Sequence, residues 1–134
     1  MVVPAALYRY QRAMVHMERA TRNTRVLSGR ARAVIQDGEP IPPELPAALG
    51  MLDDGVSTLR RELADGRDPI AARDRILAAV GEASRAYKAG VGFSGAVVVA
   101  QIRSAAFDLL RATGLDDLAV DRRVRAAAEK PRRQ

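Results

Sequence analysis

His16 and Asn23 stand seven residues apart in one apolar-patterned segment, and Gln101 and Asp108 stand seven apart in another. Seven residues are about two helical turns, so on two antiparallel helices the pairs meet as two polar layers, and aligning Asn23 with Gln101 brings His16 beside Asp108. Polar layers inside a helical core set register and the choice of partner helix. Two sharper chemistries use the same residues. His16 with Asp108 has the composition of a general base and its orienter. Arg22, Arg25 and Arg103 flank the layers as guanidiniums able to clamp a carboxylate. No set of nucleophile and oxyanion donors accompanies them, since Ser28 and Ser104 fall inside helical patterns as small packing residues. The acid pairs Asp53/Asp54 and Asp116/Asp117 are adjacent in sequence and point in different directions on a helix. "AGVGFSG" has neither the preceding strand nor the following Lys-Ser/Thr of a phosphate loop. The expectation is a non-enzyme without cofactor or metal, in which His16, Arg22, Asn23, Arg25, Gln101, Arg103 and Asp108 form an interhelical polar network or an anion contact.

The elements that must position these residues are helices. Pro4 suits a first helical turn, and residues 4–36 carry the heptad row Leu7, Met14, Thr21, Ser28, Ile35 beside Tyr10, Met17, Thr24, Ala31, flanked by Ala13, Ala20, Leu27, Val34. "QDGEPIPP" ends this helix, with Gly38 in the left-handed cap conformation and prolines preventing continuation. A second helix over residues 43–64 has Leu45, Leu49, Leu52, Val56, Leu59 and Leu63 at helical spacing. "DGRDP" turns the chain, with Asp68 as N-cap and Pro69 at the first helical position, into a third helix over residues 69–88 on Ile76, Val80, Ala83 and Tyr87. Ser94 is the expected N-cap of a fourth, residues 95–113, with Val98, Ile102, Ala105 and Leu109 inward and Gly114 as its stop. A short fifth helix covers residues 116–128, with Asp116 or Asp117 near its start. The fold class is all-α: a four-helix up-and-down antiparallel bundle with a long first helix and a short fifth C-terminal helix, one domain over residues 1–130, and a disordered tail at residues 131–134.

Bulk properties agree with that class. A chain of 134 residues, 48 % hydrophobic and 28 % charged but only 4 % aromatic, builds one core from Leu, Val, Ile and Ala on closely packed helices. Without cysteine there is no disulfide or thiol chemistry, and one histidine cannot make a multi-histidine metal site. "MVVPAALYRYQR" does not have the pattern of a signal peptide. The run of residues 89–102 has no charge but contains glycines, a serine and a glutamine, and falls short of a spanning helix, so the chain by itself is expected to be soluble. The net charge of +6 is uneven: Met1 to Ile35 holds seven arginines and one acid, Glu18. Nucleic acid is nevertheless disfavoured as a partner, because no short recognition helix or aromatic platform stands out, and the same arginines suit anionic lipid headgroups.

The first helix is also too long for its partners, about 50 Å against about 30 Å. Its first turns, "LYRYQR", should overhang with two tyrosines and two arginines, a pattern that flanks membrane spans. At "RATRNTRVLSGRA", "LRRELADGRDPIAARDRIL" and "VVVAQIRSAAFDLLRATGLD" the chain resembles the C-terminal soluble region of actinobacterial membrane proteins of the fusaric-acid-resistance, or aromatic acid exporter, family, over about residues 8 to 116. The resemblance implies an upstream multi-helix membrane domain that moves small aromatic or organic acids, followed by a cytoplasmic helical domain. This chain departs in holding no membrane helices of its own, so no transport activity is assigned to it. The leading expectation is a non-catalytic accessory or regulatory domain on the cytoplasmic face of the cell membrane, with the upstream membrane domain, a second copy of itself and an anionic lipid surface as candidate partners. The alternative is a free-standing basic helical bundle binding nucleic acid or another polyanion. A third reading, a sensor for small aromatic acids, rests on Arg22 and Arg103.

Overall fold

The computed structural model describes residues 4–130. These form five helices, α1 (Ala5–Gln36), α2 (Glu44–Ala64), α3 (Ile70–Ala89), α4 (Phe93–Ala112) and α5 (Asp117–Glu129), and no strand occurs among the described residues. The class is all-α, and the helix bounds agree with the sequence pattern to within two residues at each end. The tail expected at residues 131–134 lies outside the described residues.

Turn chemistry explains the stops. Gly38 adopts φ 64°, Glu39 donates its backbone N–H to the Val34 carbonyl at 3.1 Å, and Gly38 donates to that of Ile35 at 3.3 Å. That pair of bonds satisfies the last carbonyls of α1 in a Schellman turn. Gly66 and Arg67 repeat it at the end of α2, bonding to Leu63 and Glu62. At the start of α5, Asp116 Oδ1 accepts from the Ala119 N–H at 2.8 Å, an ordinary local N-cap.

Two starts differ from the expectation, for a common reason. Neither Asp68 nor Ser94 caps the helix that follows it. The flanking residues Pro69 and Gly92 take the cap positions without a side-chain bond. The free N–H groups are met instead by carboxylates from other elements: Glu62 Oε1 of α2 accepts from Ala72 at 2.7 Å, and Glu39 Oε1, in the loop after α1, accepts from Ser94 at 2.9 Å and Gly95 at 3.4 Å. A longer side chain arriving from outside reaches the first turn without bending the chain at the cap, so Asp68 is left to pair with Arg73 at 3.5 Å.

The core forms where α3 meets α2, α4 and α5 and where α4 meets α1. The stripe of α2 is inward as its spacing predicts, with Leu45, Leu52 and Leu59 buried and Leu49, Val56 and Leu63 packed against the core. In α4, Val98, Ile102, Ala105 and Leu109 are all buried. In α3 the buried face runs through Ala72, Ile76, Ala79, Val80, Ala83 and Ala86, and Tyr87 turns outward because that face is centred on alanines serving several neighbours.

Helix α1 departs most from the pattern. Its buried row is Ala13, Ala20, Leu27 and Val34, while Leu7, Met14, Thr21, Ser28 and Ile35 face out. The reason is packing on one side only: α4 is the sole helix with which α1 shares an extensive interface, so a single row suffices for the seam and the second row has nothing to cover it. Seven of the twelve exposed large hydrophobic residues consequently lie on α1.

Close approach of α2 to α3 depends on Gly55, where an added Cβ would fall 2.8 Å from Ile76 Cγ1 and 3.4 Å from the Ile76 backbone nitrogen. At Gly50, in the same helix, nothing lies within 4 Å. Gly50→Ala should stabilise by about 1 kcal/mol through helix propensity alone. Gly55→Ala should destabilise by about 1–3 kcal/mol, the overpacking outweighing the same propensity gain. Urea denaturation of the two variants checks the opposite signs.

Candidate functional site

The seam between α1 and α4 holds most of the polar residues singled out by their spacing. Asn23 Nδ2 donates to Asp108 Oδ2 at 3.1 Å, so Asn23 meets Asp108 rather than Gln101. His16 also lies within electrostatic reach of Asp108. Asp108 therefore sits between two turns of α1 instead of opposite one of them, as side chains do when facing helices interdigitate. Simple pairing of residues seven apart places partners face to face and misses this half-step. Gln101 is half-buried, with Oε1 buried and without a hydrogen-bond partner. The same holds for Nδ1 of His16. Arg22, Arg25 and Arg103 are exposed and make no side-chain hydrogen bond or ion pair among the described residues, so no carboxylate clamp is assembled from them there. No serine, threonine or lysine hydrogen-bonds to His16 or Asp108 among the described residues.

Electrostatics at the seam follow from burial and from the arginines around it. Burial lowers the affinity of His16 for a proton, Arg111, Arg19 and Arg12 lower it further, and Asp108 partly opposes them. Burial raises the pKa of Asp108, against the pull of Arg19 and His16. Neutral imidazole and the hydrogen bond from Asn23 suit a partly dehydrated interface between helices. The fourth helix is long and apolar enough to cross a membrane by length and composition. Here half of its apolar stretch is buried inside the protein, and Asp108 and Arg111 are anchored to other helices.

At the end of the seam beyond His16 lies a feature that spacing did not indicate. A cavity of about 550 Å³ opens between the first turns of α1, the α2–α3 turn and the end of α4. Arg9, Arg12, Arg67, Arg73 and Arg111 line it, with Asp68 as the one acid, and Tyr10, Ala13, Leu63, Pro69 and Ala112 among its remaining walls. Three of these arginines are engaged. Arg73 donates through Nε to Thr113 Oγ1 at 3.0 Å and through Nη2 to the Thr113 carbonyl at 2.7 Å. Arg111 binds the Leu115 carbonyl at 2.6 Å and Asp117 at 2.8 Å, and Arg67 pairs with Asp65 at 3.1 Å. Arg9 and Arg12 have no ion-pair partner among the described residues. The signal for them was present in "LYRYQR", as two arginines three apart on one helix face, but which elements would close around them depends on tertiary packing.

No protein-family model matches the sequence, and neither the curated proteins nor the solved structures contain a detectable relative.

Two substitutions read the seam. Asn23→Leu removes the donor to Asp108 and leaves a half-buried carboxylate unpaired, and should cost about 1–3 kcal/mol in denaturant melts near neutral pH. His16 binds a proton less readily in the folded than in the unfolded chain, so stability present above its ordinary value of 6.5 is lost as pH falls below it. Asp108 behaves oppositely: its contribution is fully present below the ordinary value of 3.8 and is lost as pH rises through its higher folded value. His16→Gln should therefore lose less stability than the parent between about pH 7 and pH 5, and Asp108→Asn should lose less on going upward from about pH 4.

Proposed function

We propose that this chain is a non-catalytic accessory or regulatory domain of a transporter-like integral membrane protein of the aromatic or organic acid efflux type, placed on the cytoplasmic face of the membrane. The observation that carries the reading is the free end of α1. Leu7, Tyr8 and Tyr10 are 46 %, 58 % and 51 % exposed, and the arginines between and after them, Arg9 and Arg12, are exposed and without an ion-pair partner among the described residues. Aromatic rings beside cations are the side chains that settle at a membrane–water boundary, where ring bodies lie against lipid and guanidiniums against headgroups. The resemblance of "RATRNTRVLSGRA" and "VVVAQIRSAAFDLLRATGLD" to the fusaric-acid-resistance family supplies the type of membrane domain. In this reading the four long helices are an up-and-down antiparallel bundle left open between α1 and α2. Opposed contacts support it: Asn23 meets Asp108 while Glu39 meets Ser94 at the far end, and Thr58 meets Arg75 while Glu62 meets Ala72. The uncovered row of α1 would be taken up by the upstream membrane domain or by a second copy of the chain.

A second reading is favoured by one specific observation. All seven arginines of α1 are exposed, and none makes an ion pair among the described residues, which suits a free-standing helical bundle that holds nucleic acid or another polyanion.

Reading the coding sequence upstream of Met1 separates the two. Several hydrophobic spans are expected there, together with sedimentation of the full product in the membrane fraction. A stop codon and ribosome-binding site directly upstream would overturn the accessory-domain reading, and duplex DNA binding that persists at about 150 mM salt would establish the second.

A further inference from the structure

We infer that the cavity between the first turns of α1, the α2–α3 turn and the end of α4 is an oxyanion site that takes a phosphate group carried on a larger organic molecule. Three features meet there. The first is an imbalance of charge: five arginines line the space against Asp68 alone, and Asp68 is already within 3.5 Å of Arg73. The second is availability. Arg67, Arg73 and Arg111 are held by Asp65, Thr113 and Asp117, whereas Arg9 and Arg12, one helical turn apart on α1, have no partner among the described residues. Two adjacent guanidiniums offer more donors than the two oxygens of one carboxylate use, and they match the three or four oxygens of a phosphate. The third is size. At about 550 Å³ the cavity exceeds what a bare anion would fill, and Tyr10, Leu63 and Pro69 give it apolar wall for the organic part.

The surrounding backbone does not cancel this charge. Helices α2 and α4 both end at the cavity and direct partial negative charge toward it. The Thr113 carbonyl, however, accepts from Arg73, and the Leu63 and Glu62 carbonyls accept from the Gly66 and Arg67 N–H groups. The same chemistry is offered by a phospholipid headgroup and by a free phosphate ester, and the inference holds whether or not the chain adjoins a membrane domain.

The test compares two double variants of equal charge and equal spacing on the same helix. Arg9→Gln/Arg12→Gln removes the free donors of the cavity. Arg22→Gln/Arg25→Gln removes two exposed arginines that do not line it, and both should leave the helical circular-dichroism spectrum unchanged. Glycerol 3-phosphate is titrated at constant ionic strength and followed by the NMR shifts of Tyr10 and Thr113. Separately, co-sedimentation is measured with vesicles of phosphatidylcholine containing phosphatidylglycerol. Saturable binding in either arm, weakened about tenfold or more by the first pair and less than about twofold by the second, is the expected result. Binding of glycerol 3-phosphate alone identifies a free ester as the ligand, and binding of vesicles alone identifies a lipid headgroup. Equal loss in both double variants would overturn the site in favour of general charge attraction, and the absence of binding in both arms would overturn it outright.

Discussion

The constraint on which the arrangement rests is the narrowness of α3. Its buried face is built largely from Ala72, Ala79, Ala83 and Ala86 with Gly81 among them, and Ile76 and Val80 supply its fully buried apolar bulk, with Glu82 buried beside them. Small side chains let three helices approach one central helix at once, and the larger residues come from the neighbours: Leu52 and Leu59 from α2, Leu109 and Leu110 from α4, Val120 and Val124 from α5. Where α3 does carry bulk, at Ile76, the neighbour gives way, because Gly55 is the residue that faces it. Helices α2, α4 and α5 cover the buried faces of α3, its remaining face at Ala71, Asp74, Arg75 and Ala78 stays exposed, and the longest helix is held through α4.

Such close packing brings helix ends beside other helices, and the ends are satisfied there. Glu62 serves the first turn of α3 and Glu39 that of α4. Arg73 covers a carbonyl at the end of α4, and Ser84 Oγ donates to the Ala128 carbonyl near the end of α5 at 2.8 Å. Each of these bonds joins residues at least ten apart in sequence, so each fixes the position of one helix along another as well as satisfying an orphan backbone group. A mostly aliphatic interior slides easily; these polar contacts at its margins set the register.

The distinction between local and distant partners also explains what was legible in the sequence. Helices, stops and the stripes of α2 and α4 were readable because each depends on spacing within one segment: Leu45 to Leu63, Val98 to Leu109, Gly38 after Ile35. The Asp116 cap was readable for the same reason. The caps supplied by Glu62 and Glu39 were not, since Asp68 and Ser94 are chemically sound local candidates and only the fold decides against them. In α1 two apolar rows competed, and no property of the helix itself says that it will have one neighbour, so the choice of Ala13, Ala20, Leu27 and Val34 over Leu7, Met14 and Ile35 was invisible. Among the candidate site residues, His16, Asn23 and Asp108 lie on one seam, and interdigitation shifts the pairing from the one their spacing suggests. The cavity joins Arg9 and Arg12 to Arg73 and Arg111 across a separation in sequence that no local pattern spans.

The seam itself tapers, and that taper links the packing of α1 to the chemistry at its free end. Toward the α1–α2 loop the seam residues are Leu27 and Val34, which fill the space between helices with apolar volume. Toward the free end they are Ala20 and Ala13, too small to fill it by themselves. Polar residues enter in the same place: Asn23, Asp108 and His16 occupy the level of the alanines, bonded or half-buried, and beyond Ala13 the space opens into the arginine-lined cavity. Replacing the alanines by leucines would remove the need for polar side chains but would also push α1 off α4 and widen the mouth. Small seam residues thus hold the free end of α1 close to α4 while leaving unfilled volume at the margin, and among the described residues Arg9, Tyr10, Arg12 and Ala13 border that volume from α1. A helix held from one side by alanines, with its cations directed over an open corner, concentrates positive charge where the protein's own acids do not neutralise it.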